Sequence, residues 1–95
     1  MHATLRYYQV SDIDVITRNV NAEFLDIVRE VPGFGAYHVV DLGDGTMVSI
    51  TMAEDAAGVE ASDKAAADWV AGNEEMQKAI GGPPRTVSGE VTAST

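Results

Sequence analysis

The fold of this chain is decided by residues 34–54, which read FGAYHVVDLGDGTMVSITMAE. Two runs rich in β-branched and aromatic residues, 34–42 and 46–54, lie on either side of the turn Gly43-Asp44-Gly45. An Asp-Gly pair between two such runs is a strong signal for a β-hairpin. These residues therefore predict that strands two and three are antiparallel neighbours.

The residues before the hairpin predict one strand and one helix. Residues 3–10 are rich in strand formers and predict strand one. The next four, Ser11-Asp12-Ile13-Asp14, have the S-x-x-D form of a capping box, which marks a helix start. Pro32-Gly33 ends the helix, because proline disfavours helical geometry in the residue before it. Apolar residues at steps of three and four predict one buried stripe of Ile13, Ile16, Val20, Phe24, Ile27 and Val31.

The residues after the hairpin predict a second helix and a last strand. Residues 55–76 are rich in alanine, and Gly58 with a second cap at Ser62-Asp63 predicts a short helical turn followed by a longer helix. Residues 81–84, Gly-Gly-Pro-Pro, cannot continue a helix, and residues 85–92 show strand alternation. One side of the longer helix carries Ala66, Trp69, Val70, Asn73, Met76 and Ile80.

The element order is βαββαβ, in one domain that spans residues 1–95. Right-handed crossovers then give an α+β, ferredoxin-like fold, with a four-stranded antiparallel sheet and both helices on one face. In strand two, Phe34, Ala36, His38 and Val40 point one way, and Tyr37 and Val39 point the other. Neither side is plainly polar, so the face without helices predicts a homodimer in which a second copy covers it.

Composition excludes several partners. The 95 residues include 6 Lys+Arg and 15 Asp+Glu, a net charge of −9, which opposes binding to a nucleic-acid backbone. No apolar run approaches the length of a membrane span, so no membrane partner is expected. The chain has no cysteine and no H-x-x-x-H spacing, so we expect no metal site and a reducing, cytoplasmic location.

The element order resembles the dimeric α/β-barrel superfamily and, more narrowly, its antibiotic-biosynthesis-monooxygenase-like domains. The resemblance covers about residues 3–92 and includes Val31-Pro32-Gly33-Phe34, the Gly43-Asp44-Gly45-Thr46 turn, Glu54-Asp55 and Ala65-Ala66-Ala67-Asp68-Trp69-Val70. It implies a small-molecule enzyme similar to cofactor-independent monooxygenases that act on aromatic or polyketide-like compounds, with no cofactor. Trp69 matches a tryptophan that lines a cavity in these enzymes. Their haem-degrading members also carry a histidine after the tryptophan, whereas this chain has none after His38.

Two residues are candidate catalytic groups and four are candidate substrate-binding groups. Trp69 could stack on a flat substrate or belong to the core. His38 could transfer a proton, since imidazole titrates near neutral pH, or simply pack in the core or an interface. The candidates for binding a small apolar or aromatic ligand are Tyr7, Tyr8, Tyr37 and Asn73.

Two further residues and one alternative function stay open. Arg6 and Arg85 could neutralise an anionic ligand or pair with Glu90 and Asp41. The alternative to an enzyme is a non-catalytic ligand-binding or assembly domain on the same dimeric scaffold. An apolar lining without a matched acid and base favours that alternative.

Overall fold

The computed structural model describes residues 1–95 and confirms the ferredoxin-like α+β fold. The sheet has the strand order β2-β3-β1-β4, and every neighbouring pair is antiparallel. The strands are β1 (His2–Gln9), β2 (Phe34–Asp41), β3 (Thr46–Ala53) and β4 (Arg85–Glu90). The helices are α1 (Ile13–Asn19), a π-helical segment (Val20–Phe24), α2 (Leu25–Val28), α3 (Ala56–Ala71) and α4 (Glu74–Ala79).

The strand register fixes two distinct sheet faces. On the face that carries the helices, Arg6 lies opposite Ser49 and Tyr8 lies opposite Met47, and all four side chains are buried. The opposite face, which we call the outer face, has no helix. Its side chains point away from the helices and include Leu5, Tyr7, His38, Val40, Val48 and Ile50.

A β-bulge at Gly35 corrects the predicted orientation of Phe34. The register of β2 against β3 shifts between Phe34 and Ala36, so Phe34 lies opposite the buried Ala53. Phe34 therefore packs against the helical core together with Tyr37, and does not share the outer face with His38. A bulge inserts one unpaired residue, which reverses the side-chain alternation beyond it.

The first helical region is less regular than the predicted stripe. Its buried residues are Ile16, Val20, Phe24 and Val28, which recur every four residues, whereas Ile27 is 39% exposed. A step of four overshoots one α-helical turn by about 40°, so three such steps would leave the apolar face of a regular helix. The wider turn of the π-helical segment Val20–Phe24 compensates and keeps the four side chains on one face.

The predicted capping box is wrong by one residue. Asp12 is the N-cap of α1, and its carboxylate accepts the backbone N–H groups of Asp14 and Val15. The Ser11 hydroxyl instead points to the end of α4, at 3.4 Å from the Ala79 carbonyl oxygen.

The predicted interruption of the second helix near Gly58 and Ser62 is also wrong. Asp55 caps α3 by accepting the Gly58 N–H at 2.9 Å, and the helix then runs unbroken to Ala71. Ser62 and Asp63 lie inside the helix. The interruption comes at Gly72, after which Asn73 caps α4.

None of the helices is long and apolar enough to cross a membrane.

The core lies between the helices and the sheet. Its buried apolar residues are Tyr8, Ile16, Val20, Phe24, Val28, Met47, Ala66, Met76 and Ala79. Three alanines of α3, Ala66, Ala67 and Ala71, line a space beside this core, and the candidate site lies there.

Candidate functional site

A cavity of about 480 Å³, which we call the main cavity, lies between α3, α4, the 81–84 loop and the sheet. Ligand sites in proteins usually measure about 300–1,000 Å³, so the main cavity has the size of a small-molecule site. Its walls are mostly small or apolar, and include Ala66, Ala67, Val70, Ala71, Ile80 and Pro83. Its polar lining includes Arg6, Tyr8, Asp63, Gln77 and Thr86.

An ion pair between a buried arginine and a partly exposed aspartate forms the polar end of the main cavity. Arg6 is 3% exposed, and its Nη1 donates a short hydrogen bond to Oδ1 of Asp63. The Nε of Arg6 donates to the Ser49 hydroxyl at 3.2 Å, and the Thr4 hydroxyl donates to Oδ2 of Asp63 at 3.2 Å. The carboxylate therefore neutralises the one cation that lines the cavity, and two hydroxyl groups hold the pair in place.

The partner of Arg6 differs from the prediction. Asp63 reaches Arg6 from the middle of α3, so Glu90 and Asp41 are not its partners. Arg85 lies on the outer face, where its guanidinium carbon is 4.4 Å from the centre of the Tyr7 ring. This distance is typical of a cation–π contact.

Two tyrosine hydroxyls lie beside the ion pair. Burial raises the pKa of Tyr8, and the nearby Arg6 guanidinium offsets only part of that increase. Burial also raises the pKa of Tyr37, to about 12, against the opposing effect of Arg6. Both phenols are therefore protonated at neutral pH. They can donate hydrogen bonds, but they are weak proton acceptors.

Trp69 lies behind the main cavity and does not line it. With Phe24, Tyr37 and Tyr8 it borders a narrow gap of about 10 Å³, which has room for about one water molecule. The Trp69 ring centre is 5.0 Å from that of Phe24, and its Nε1 donates to Oε1 of Glu23 at 2.8 Å. The indole is therefore fixed by packing on one side and by a carboxylate on the other.

Asn73 joins the same carboxylate to the start of α4. Its side-chain oxygen accepts the Met76 N–H at 3.1 Å, which caps the helix. Its side-chain nitrogen donates to Asn19 at 3.1 Å and to Glu23 at 3.4 Å. Asn73 does not line the main cavity.

His38 and Tyr7 lie on the outer face, away from the other predicted site residues. His38 is exposed and lies opposite Ile50, while Tyr7 lies opposite Val48. A shallow groove of about 250 Å³ beside His38 runs along the edge of β2. The structure thus brings Tyr8 and Tyr37 together with Trp69 on the helical side, whereas His38 meets only Tyr37 of these three, in the groove at the edge of β2.

Arg6 and Asp63 are the pair that the sequence analysis did not connect. One signal was present, because Arg6 shares one strand face with Thr4 and Tyr8, on a strand of otherwise uncharged residues. Asp63 lies three residues before Ala66, and thus beside the buried stripe of α3. Opposite charges on two facing apolar surfaces predict a buried pair. The chain has no group of three or more His, Cys, Asp or Glu side chains that could hold a metal ion.

No protein-family model matches the chain, and no curated protein matches it significantly. Solved structures do match. One is the monooxygenase from the ActVA-Orf6 gene of Streptomyces coelicolor in complex with nanaomycin D, with a TM-score of 0.74 and 17% identity over 99% of this chain and 89% of that one. A protein of unknown function from Nitrosomonas europaea matches with a TM-score of 0.76 and 18% identity, over 99% and 91% of the two chains.

A third structure, MhuD with two manganese protoporphyrin IX molecules per active site, matches with a TM-score of 0.75 and 16% identity, over 100% of this chain and 98% of that one. The fold is therefore that of the antibiotic-biosynthesis-monooxygenase-like proteins, as the sequence predicted. The matching proteins include a monooxygenase and a protein of unknown function, so the shared fold by itself specifies no reaction.

Proposed function

We propose that this protein is a small-molecule enzyme, similar to cofactor-independent monooxygenases, that acts on an aromatic or polyketide-like compound in the main cavity. The observation that carries the proposal is a cavity of about 480 Å³ with apolar walls and one polar end, at Arg6 and Tyr8. The Streptomyces monooxygenase of the same fold binds nanaomycin D, which supports a ligand of this class.

The proposed chemistry uses electrons from the substrate. A phenol or enol that loses its proton to solvent can reduce oxygen directly: an adjacent CH2 group becomes a carbonyl with one oxygen atom, and the other oxygen atom leaves as water. The protein has to bind, orient and shield the substrate. Arg6 and the Tyr8 hydroxyl would donate hydrogen bonds to the substrate oxygen on which negative charge develops. Trp69 would support the inner wall from behind Val70, with its ring fixed by Phe24 and Glu23.

Oxygen uptake tests this proposal. The purified protein is incubated with a panel of phenolic polycyclic compounds, and oxygen consumption is followed together with product formation by mass spectrometry. Tyr8→Phe should lower turnover at least about tenfold, because one hydrogen-bond donor to the developing charge is lost. His38→Gln is the control, since His38 lies across the sheet and should leave turnover unchanged. No oxygen uptake with any compound that binds would reject the enzymatic assignment.

The alternative is a non-catalytic ligand-binding domain with the same cavity. The observation in its favour is that the cavity lining contains no imidazole and that its one carboxylate, Asp63, is already paired with Arg6. Binding of the same compounds without oxygen consumption would support it.

We further propose that a second copy of the chain covers the outer face. Val40 and Val87 are 40% and 42% exposed there, beside Leu5 and Ile50. Contiguous apolar surface of this kind is typical of interfaces. Light scattering after size exclusion should report a dimer, and Val87→Glu should shift it toward the monomer. Ile27→Glu, at a residue 39% exposed on the helical side, is the matched control. A monomeric native protein would contradict the homodimer.

A further inference from the structure

We infer that the main cavity selects an uncharged ligand that ends in a hydroxyl or carbonyl oxygen, and that Asp63 sets this preference by matching the charge of Arg6. The inference rests on the proposed function only in using the same cavity. It concerns the charge of the ligand and holds whether or not the ligand reacts with oxygen.

The first observation is the charge balance of the lining. Arg6 is the only cation among the residues around the main cavity, and Asp63 is the only anion. They contact each other directly, so the lining has no net charge. An ionised carboxylate placed against this end would lose its hydration and meet a second carboxylate. An ammonium group would meet the Arg6 guanidinium, which already has its counter-ion.

The second observation is the set of hydrogen-bond donors that remain. The hydrogen bonds of Arg6 to Ser49 and Asp63 use Nε and Nη1, and its guanidinium also lies beside the Tyr8 and Tyr37 hydroxyls. Arg6 and Tyr8 both line the cavity, and a phenol that accepts a hydrogen bond from a guanidinium still has its own proton to donate. Two donors at the polar end fit the two lone pairs of one hydroxyl or carbonyl oxygen. The ligand thus receives hydrogen bonds at this end without supplying charge.

The third observation is the character of the rest of the lining. Small residues on α3, among them Ala67 and Ala71, leave the space that the cavity occupies. Val70, Ile80 and Pro83 complete a mostly apolar wall, in which Gln77 and Thr86 are the only other polar side chains. The shape and chemistry therefore suit a compact ring system with its oxygen at one end.

Three naphthalene probes test the inference by equilibrium binding to the full chain at neutral pH, under anaerobic conditions. 2-Naphthol is neutral there, 2-naphthoate is ionised, and naphthalene has no oxygen. Binding can be followed by ligand-observed NMR. We expect 2-naphthol to bind at least about tenfold more tightly than 2-naphthoate, and more tightly than naphthalene. Equal or tighter binding of 2-naphthoate would overturn the inference, and so would failure of all three probes to bind.

Asp63→Asn should reverse the preference, because it leaves the Arg6 charge for the ligand to neutralise. We expect 2-naphthoate to gain at least about tenfold in affinity relative to 2-naphthol. Asp68→Asn is the matched control, since it removes the same charge from the same helix where Asp68 pairs with Lys64 at the surface. An unchanged ratio in folded Asp63→Asn would overturn the inference.

Asp63→Asn leaves the buried Arg6 charge without its partner and could therefore unfold the protein. A double variant supplies a second test that does not depend on its folding. Replacing both members of a buried pair by apolar residues is often neutral for stability, so Arg6→Met with Asp63→Leu is expected to fold. Because the Tyr8 hydroxyl remains, its preference for 2-naphthol over naphthalene should be weaker than in the native chain, and an unchanged preference would contradict the role of the pair. If the native protein shows the charge preference in binding but consumes no oxygen, the proposed enzyme activity is rejected and the inference about ligand charge is retained.

Discussion

Replacing Gly58 by alanine tests how closely the first turn of α3 approaches the end of β3. A Cβ atom at this position would lie 2.7 Å from the Cβ of Ala53 and 3.3 Å from the carbonyl oxygen of Pro32. Non-bonded carbon atoms normally stay about 3.5–4.0 Å apart. Neither neighbour is the flexible end of a long side chain, since Ala53 is 1% exposed within a strand and the Pro32 atom belongs to the backbone. The helix would have to move by about 1 Å.

Two effects of opposite sign decide the result. Alanine in place of glycine favours a helix by about 1 kcal/mol, whereas one extra methyl group in a close-packed site costs about 1–3 kcal/mol. We therefore expect Gly58→Ala to lower the free energy of unfolding by about 1 kcal/mol, and the melting temperature of a domain of this size by about 4–8 °C.

Gly72→Ala is the control for this experiment. Its nearest atoms would lie 3.8 Å from an added Cβ, and its φ of −98° suits any residue, so we expect a change within about 0.5 kcal/mol. Chemical denaturation followed by circular dichroism measures both variants. If Gly58→Ala proved more stable than the native chain, the close contact between α3 and β3 would be refuted.

Three further predictions concern named hydrogen bonds and one pKa. Burial raises the pKa of Tyr37 from 10.0 to about 12, so the stability that its neutral phenol contributes is complete below pH 10 and is lost as the pH rises toward 12. An absorbance titration should show this phenol ionising late, and Tyr37→Phe should remove that step. Glu23→Ala removes the acceptor of the only indole N–H, so it should shift the Trp69 fluorescence and lower the free energy of unfolding by about 1 kcal/mol. Glu23→Gln keeps an acceptor and should leave the fluorescence and the stability near native values. Asp55→Ala removes the cap of α3 and should cost about 1 kcal/mol in chemical denaturation; an unchanged midpoint would contradict the cap.

The sequence predicted those parts of the fold that local signals determine. The Gly43-Asp44-Gly45 turn with its two flanking runs was sufficient for the β2–β3 hairpin, and both glycines have positive φ, at 85° and 82°. Handedness rules then reduced the possible topologies to a few, among which the ferredoxin-like arrangement was predicted. Details that depend on tertiary contact were not predictable. The bulge at Gly35 reverses the alternation without changing composition, and Gly58 is tolerated in α3 because the helix passes close to Ala53.

The candidate site was predictable in part for the same reason. Tyr8, Tyr37 and Trp69 could be identified by residue type and by their place on a strand or helix face. The sequence does not say which face a helix will cover, so His38 and Tyr8 were grouped although they lie on opposite sides of the sheet. The pairing of Arg6 with Asp63 joins residues far apart in the chain, and only the packing of α3 on β1 brings them together.

The position of β1 has a consequence for how the protein acquires its structure. This first strand lies between β3 and β4, and its first residue, His2, pairs with Glu90 near the other end of the chain. The β2–β3 hairpin can form as soon as its residues are made, whereas the β1 edge that pairs with β4 has no partner until β4 is made. Contacts of such long range slow folding, because the loop must close before they are gained. During synthesis, the β1 edge therefore stays unpaired until residues 85–90 have been made, and β4 then covers it.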